Sequence, residues 1–169
     1  MNEQYSKGTI EGDKKTPKGT FNIEHLYYRK DRLRKPKTSL KCLNIKENMG
    51  WCDDSRYPNK YNKLIKINSK IKHEKLKRLD QKYDLIIPIK YNFKKPTPNL
   101  GSCIFIHLTK DYKPTAGCIA LKEKDFLIMI KILKKKSKIK RWWMLLPCWC
   151  SQRRLNVNVS LLFWWVQHY

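Results

Sequence analysis

The chain has 169 residues, enough for one domain with a short appendage and too few for two large cores. Hydrophobic residues at 41% and charged residues at 31% exclude a disordered chain and supply a packed interior. Lysine and arginine number 38 against 14 acids, a formal net charge of +24 that favours nucleic acid, anionic lipid or a cell-wall polymer as partner without choosing among them.

Residues 1–18 are polar and hold acids; the apolar run of about 7–15 residues that marks a secretory signal is missing, so the chain taken literally carries no export signal. Gly12, Pro17 and Gly19 mark a tight loop, and over residues 20–26 Phe21, Ile23 and His25 alternate as one face of a strand. Residues 29–40 are basic and broken by Pro36, and the stretch from Leu43 through Gly50-Trp51-Cys52-Asp53-Asp54 to the turn at 58–62 reads as loop-rich. Residues 64–67 predict a short strand. Residues 70–79 predict a basic helix with Ile71, Leu76 and Leu79 on one face, and 83–89 a strand that Pro88 assigns to an edge or a bulge. In residues 101–108, GSCIFIHL, one strand face carries Ile104, Ile106 and Leu108 and the other Cys103, Phe105 and His107. Residues 125–133, DFLIMIKIL, are apolar nearly all round and predict a buried helix, with Asp125 complementing the N-terminal end of its dipole and Lys134, Lys135 and Lys136 the other. Strands outnumber helices, which gives a β-rich α+β fold.

The composition breaks near Arg141. All 30 lysines and all 16 isoleucines precede residue 142, while residues 142–169 hold five of the six tryptophans and no acid. A foreign segment or a shifted reading frame would account for such a change, and a membrane-surface appendage, whose Trp and Arg suit an interface, is the alternative. The expected domain is therefore 1–140, followed by an atypical Trp-rich tail at 141–169. Neither apolar run of the tail reaches the roughly 18 residues that a transmembrane helix requires. Cys42, Cys52, Cys103, Cys118, Cys148 and Cys150 form no CxxC pair and no Cys/His zinc spacing, so neither a metal nor another cofactor is expected.

Cys118 follows Gly117 in Thr115-Ala116-Gly117-Cys118-Ile119, where a glycine lets the backbone come close to a ligand just before an apolar strand. A cysteine nucleophile needs a base or cation to yield its thiolate, and His107, ten residues earlier at the end of the clearest strand, is the nearest histidine in sequence. Spacing alone favours the plainer reading, an inert buried cysteine and a hydrogen-bonded structural histidine.

Residues 101–127 nevertheless resemble the active-site signature of the L,D-transpeptidase (YkuD) catalytic domain. In that signature a histidine closing a strand precedes Ser/Thr-x-Gly-Cys and an apolar residue; here these are His107, Thr115, Gly117, Cys118 and Ile119. Glu11-Gly12-Asp13, then Thr16-Pro17-x-Gly19-Thr20-Phe21, Gly50-Trp51-Cys52-Asp53-Asp54, Tyr61-Asn62 and Tyr83-Asp84-Leu85 resemble the same family in order, so the likeness spans about residues 9–133. It implies a mixed β-sheet or sandwich with a buried helix after the cysteine, and cysteine-dependent acyl transfer on peptidoglycan stem peptides. By the same resemblance Cys118 attacks the carbonyl that links the third stem residue to the terminal D-alanine, leaving a thioester. His107 accepts and then donates the proton, Thr115 orients it or shapes the loop, and N–H groups around Gly117 and Cys118 hold the oxyanion. An amine acceptor gives a 3→3 crosslink and water a carboxypeptidase. A periplasmic or cell-envelope location is implied as well, with no metal or cofactor.

Three departures accompany the likeness. The commonest family form has His before the glycine and Arg or Asn two residues after the cysteine, where this chain has Ala116 and Ala120. A strand pair usually precedes the EGD segment, so a domain lacking its first strands is expected, and the family works outside the cytoplasm. Asp53, Asp54, Asn62, Tyr83 and Asp84 are expected to cap turns or face solvent, and Cys52 and Cys103 to be buried as small hydrophobes. Two rival readings stand beside the enzyme: a basic nucleic-acid-binding module whose Lys, Tyr and Trp side chains track phosphate and stack bases, and an inactive remnant of the transpeptidase family.

Overall fold

The computed structural model describes residues 10–141 and the short strand Val166–Gln167; residues 1–9 and the rest of the Trp-rich tail, with Cys148 and Cys150, lie outside the described residues. In chain order the strands are β1 (Gly19–Asn22), β2 (Leu26–Tyr28), β3 (Cys42–Asn44), β4 (Met49–Cys52), β5 (Leu64–Lys66), β6 (His73–Lys75), β7 (Leu85–Pro88), β8 (Phe105–Leu108) and β9 (Ile119–Leu121). Helix α1 (Glu123–Ile132) follows, then β10 (Lys138–Arg141) and β11 (Val166–Gln167). The central sheet has the order β3-β2-β7-β8-β9, antiparallel at β2/β7 and β7/β8 and parallel at β2/β3 and β8/β9. Two smaller sheets, β5-β4-β6 and β1-β10-β11, complete the β-rich α+β architecture among the described residues.

Period-2 alternation in the central strands feeds two separate cores. Leu26, Tyr28, Leu85, Ile87, Ile106 and Leu108 turn to one face, where α1 covers them with Phe126, Met129 and Ile130, and Leu133 follows just beyond its last turn. Tyr27, Ile86 and Phe105 turn to the other, against Trp51 of β4, Ile45, Leu76 and Tyr83. Burying each such side chain contributes roughly 1.5–3 kcal/mol. Trp51 meets Phe105 and Tyr27 edge to face, with ring centroids 5.4 Å and 6.5 Å apart.

Several elements depart from the sequence reading. The helix expected at 70–79 is absent: His73–Lys75 forms β6, which pairs antiparallel with β4, and Leu79, assigned to a buried face, is 98% exposed. Pairing with the free edge of β4 outweighs the local helical spacing, and Ile71 and Leu76 are buried from the segments that flank β6. The strand expected over 20–26 is split into β1 and β2, which belong to different sheets, with His25 between them and only half-buried. Pro88 lies in a central strand and not at an edge; it is the last residue of β7, where its missing N–H interrupts little, and its carbonyl accepts the Glu24 N–H at 2.8 Å. The loop-rich middle holds β3 and β4. Helix α1 is one-sided, with Leu127 at its exposed surface, because the sheet covers only one of its faces.

Asn62 ties the layers together. Its Oδ1 accepts the Trp51 indole N–H at 2.9 Å and the Cys103 N–H at 3.2 Å, and its Nδ2 donates to the carbonyls of Tyr91 and Asn92 at 2.9 and 2.7 Å. All four bonds are made at a residue 4% exposed, so truncation strands donors and acceptors in the interior. Asn62→Ala is expected to lower unfolding free energy by about 3 kcal/mol in denaturant titration; a loss under about 0.5 kcal/mol contradicts this role.

Candidate functional site

The register of β8 and β9 brings His107 and Cys118 onto one face. Ile106 pairs with Ile119 and His107 with Ala120, so Cys118, one residue before β9, follows in step opposite Phe105, and Phe105 and His107 face the Trp51 core. The chain reaches this parallel pairing through residues 109–118. Thr115 Oγ1 donates to the Cys118 carbonyl at 2.6 Å, which closes the loop just before β9. Gly117 has φ +111°, and a Cβ there would lie 2.6 Å from the Lys15 carbonyl oxygen, which makes glycine obligatory through contact with the chain's own N-terminal loop.

That loop is held from below. The Asp13 carboxylate accepts the N–H groups of Ile10 and Lys15 at 3.1 and 2.8 Å, while Glu11 Oε2 accepts the hydroxyls of Tyr61 at 2.5 Å and Ser102 at 2.8 Å. The EGD segment is thereby fixed to Tyr61 and to the turn before β8, and the Lys15 carbonyl just after it lies against Gly117.

His107 is 6% exposed, and its Nδ1 lies 2.8 Å from the Leu108 carbonyl oxygen. A carbonyl only accepts, so Nδ1 carries the proton and Nε2 keeps a lone pair. Burial, foremost, lowers the imidazole pKa below its ordinary value, Lys82 and Arg78 add to this, and the Leu108 bond opposes it; the ring is neutral at pH 7. Tyr83 stacks its edge on His107 with centroids 5.5 Å apart and on Phe105 at 5.9 Å, and the Arg78 guanidinium lies 5.0 Å over its ring. Burial and then the neighbouring Cys118 hold the Tyr83 phenol neutral, well above its usual range.

Cys118 Sγ donates to the Cys103 carbonyl at 3.2 Å and accepts the Phe105 N–H at 3.4 Å. Burial pushes the thiol pKa up to about 11, with the Phe105 N–H opposing and Glu74 adding to the shift. About one thiol in ten thousand is ionised at pH 7, so a nucleophilic role demands a base, and in this state the thiol proton points to Cys103 and not to His107. Cys103 is half-buried beside it and not enclosed as expected, and desolvation by the surrounding protein raises its own thiol pKa well above the ordinary value. A cleft of about 500 Å³ opens at the end of β8, lined by Leu79, Lys82, Leu108, Thr109, Lys110 and Glu123 among others; neither Cys118 nor His107 lines it.

The acidic motif residues are paired with cations of the fold. Asp54 accepts a two-pronged Arg56 pair at 2.9 and 2.7 Å and the Lys72 N–H at 3.0 Å, Asp53 pairs with Lys72 at 3.0 Å, and Asp84 takes Arg32 at 2.9 Å. Tyr83, read from sequence as a turn residue, stands at the histidine instead. Glu74 and Arg78, joined at 3.0 Å, lie near it and were not singled out by sequence, since only the β4/β6 pairing brings them there. Among the described residues no three His, Cys, Asp or Glu side chains converge as a metal site.

The family model of the L,D-transpeptidase catalytic domain (YkuD) matches residues 3–140. The chain belongs to this family. Comparison with curated proteins finds no match, and comparison with solved structures finds none. Within the L,D-transpeptidase pattern, Ala120 pairs directly with His107, so the Arg or Asn side chain of the commoner sequence form is replaced by a methyl group beside the imidazole.

Peptide-resolved alkylation by iodoacetamide is expected to show Cys118 accelerating about tenfold per pH unit through neutrality, with a midpoint at about 11. A midpoint at the ordinary thiol value of about 8.5 contradicts the burial described here.

Proposed function

We propose that this transpeptidase-family domain performs cysteine-dependent acyl transfer on peptidoglycan stem peptides, with Cys118 as nucleophile and His107 as proton acceptor and donor. The observation that carries the reading is the shared face of β8 and β9: a neutral imidazole with its free Nε2 lone pair stands on the same surface as a protonated thiol.

Attack begins when the Cys118 proton leaves the Cys103 carbonyl for His107 Nε2 and Sγ adds to the carbonyl of the bond to the terminal D-alanine. The Leu108 carbonyl, already bound to Nδ1–H, stabilises the imidazolium that forms. Backbone N–H groups at Gly117 and Cys118 hold the oxyanion. Collapse expels D-alanine, which takes its proton from His107, and leaves a thioester on Cys118. A second stem's amine then gives a 3→3 crosslink, and water a shortened stem. General-base catalysis of this kind contributes about 10²–10⁴-fold, which suits a thiol too weakly acidic to ionise alone. Peptidoglycan as substrate puts the working location at the cell envelope.

Incubation of the full chain with a carbapenem is expected to yield one covalent adduct by intact mass, absent in Cys118→Ala and formed about a hundredfold or more slowly in His107→Ala. The adduct rate should fall as pH drops through the His107 pKa, which burial holds below the ordinary imidazole value, because protonation removes the Nε2 lone pair. A cooperatively melting protein that forms no adduct overturns the assignment.

A further inference from the structure

All 14 acids of the chain lie at or before Asp125, so the last turns of α1, the following turn and β10 carry positive charge only. Four lysines elsewhere in the fold are ion-paired, Lys72 with Asp53, Lys77 with Glu47, Lys90 with Glu24 and Lys113 with Asp111, each beside an acid that the 126–141 segment lacks. Lys131, Lys134, Lys135, Lys136 and Lys138 are exposed, and none makes an ion pair among the described residues.

The backbone holds these charges together. Ser137, 2% exposed, accepts the Lys134 N–H on its hydroxyl at 2.9 Å and returns its own N–H to the Lys134 carbonyl at 2.9 Å, while Leu133 is 1% exposed. Lys134, Lys135 and Lys136 thus project from a closed turn. On β10, Ile139 packs into the α1 core, so Lys138 points the opposite way. The helix dipole accounts for cations near the end of α1, and it fades within a turn, leaving Lys138 unexplained. Like charges fixed side by side without acids repel, and a polyanion relieves that repulsion.

We propose that this face, formed by the end of α1, the turn at 134–137 and the first residue of β10, docks on an anionic lipid bilayer. The five side chains are compact ammonium charges with no guanidinium fork and no stacking ring among them, the pattern of diffuse attraction to a charged surface and not of base recognition. The face belongs to the layer that α1 and β10 build on one side of the central sheet, whereas Cys118 and His107 open to the other layer. Docking therefore leaves the thiol free.

The test is co-sedimentation of the full chain with vesicles of phosphatidylcholine alone or mixed with phosphatidylglycerol. Two variants share one net charge: Lys131, Lys134, Lys135, Lys136 and Lys138 all changed to Gln, or the exposed Lys30, Lys35, Lys37, Lys41 and Lys110 changed instead. The expected result is binding only to the mixed vesicles, weakening with added salt, about a hundredfold weaker in the first variant and within about threefold of the parent in the second. Equal loss in both variants, or no binding to the mixed vesicles, overturns the proposal. Retention of single-stranded RNA by the parent and its loss in the first variant, without vesicle binding, overturns it in favour of a nucleic-acid surface.

Discussion

Because β9 runs parallel to β8 with Ile106 opposite Ile119, the direction of each side chain near the candidate site follows from one register. A slip by one residue would turn His107 into the α1 core and expose Ile106 to the aromatic layer. The register is secured at both ends. Phe105 is locked between Trp51 and Tyr83, and Leu108 is buried on the helix side while its N–H donates to the Lys82 carbonyl at 2.9 Å. The histidine and cysteine thus inherit their placement from hydrophobic packing that has no chemistry of its own.

Burial then sets the electrostatics. It lowers the His107 pKa and raises that of Cys118, so both groups are neutral at pH 7 and no thiolate–imidazolium pair stands ready. Stabilising such a pair in advance would need a cation or several N–H donors at the sulfur, and the described contacts supply one, from Phe105. The acyl transfer proposed therefore depends on proton movement during attack, with the Leu108 carbonyl holding the tautomer that makes it feasible.

The alternation in GSCIFIHL was legible, since a strand buried on both faces still separates its neighbours by period. So were the helix after Cys118 and the special position of Gly117. The reason for Gly117 was not: a glycine permits close approach, and only the folded chain reveals that the approaching group is the Lys15 carbonyl. Residues 70–79 misled because Ile71 and Leu76 are buried from the turns that flank a three-residue strand, and pairing with β4 is a long-range fact. The same pairing carries Glu74 toward Tyr83, which is why that neighbourhood of the histidine had no local signal. Asn62 was expected to cap a turn; its four bonds join three segments distant in sequence.

Family membership, a shared face for thiol and imidazole, and an alanine where the commoner form carries a larger polar side chain together define what has to be tested: whether the pair acts on a stem peptide. The most direct measurement follows free D-alanine and the mass of the Cys118-containing peptide after the full chain meets a peptidoglycan tetrapeptide. The account predicts D-alanine release with a transient thioester on Cys118, both abolished by Cys118→Ala. Release that survives this substitution, or none from a cooperatively folded chain, contradicts it.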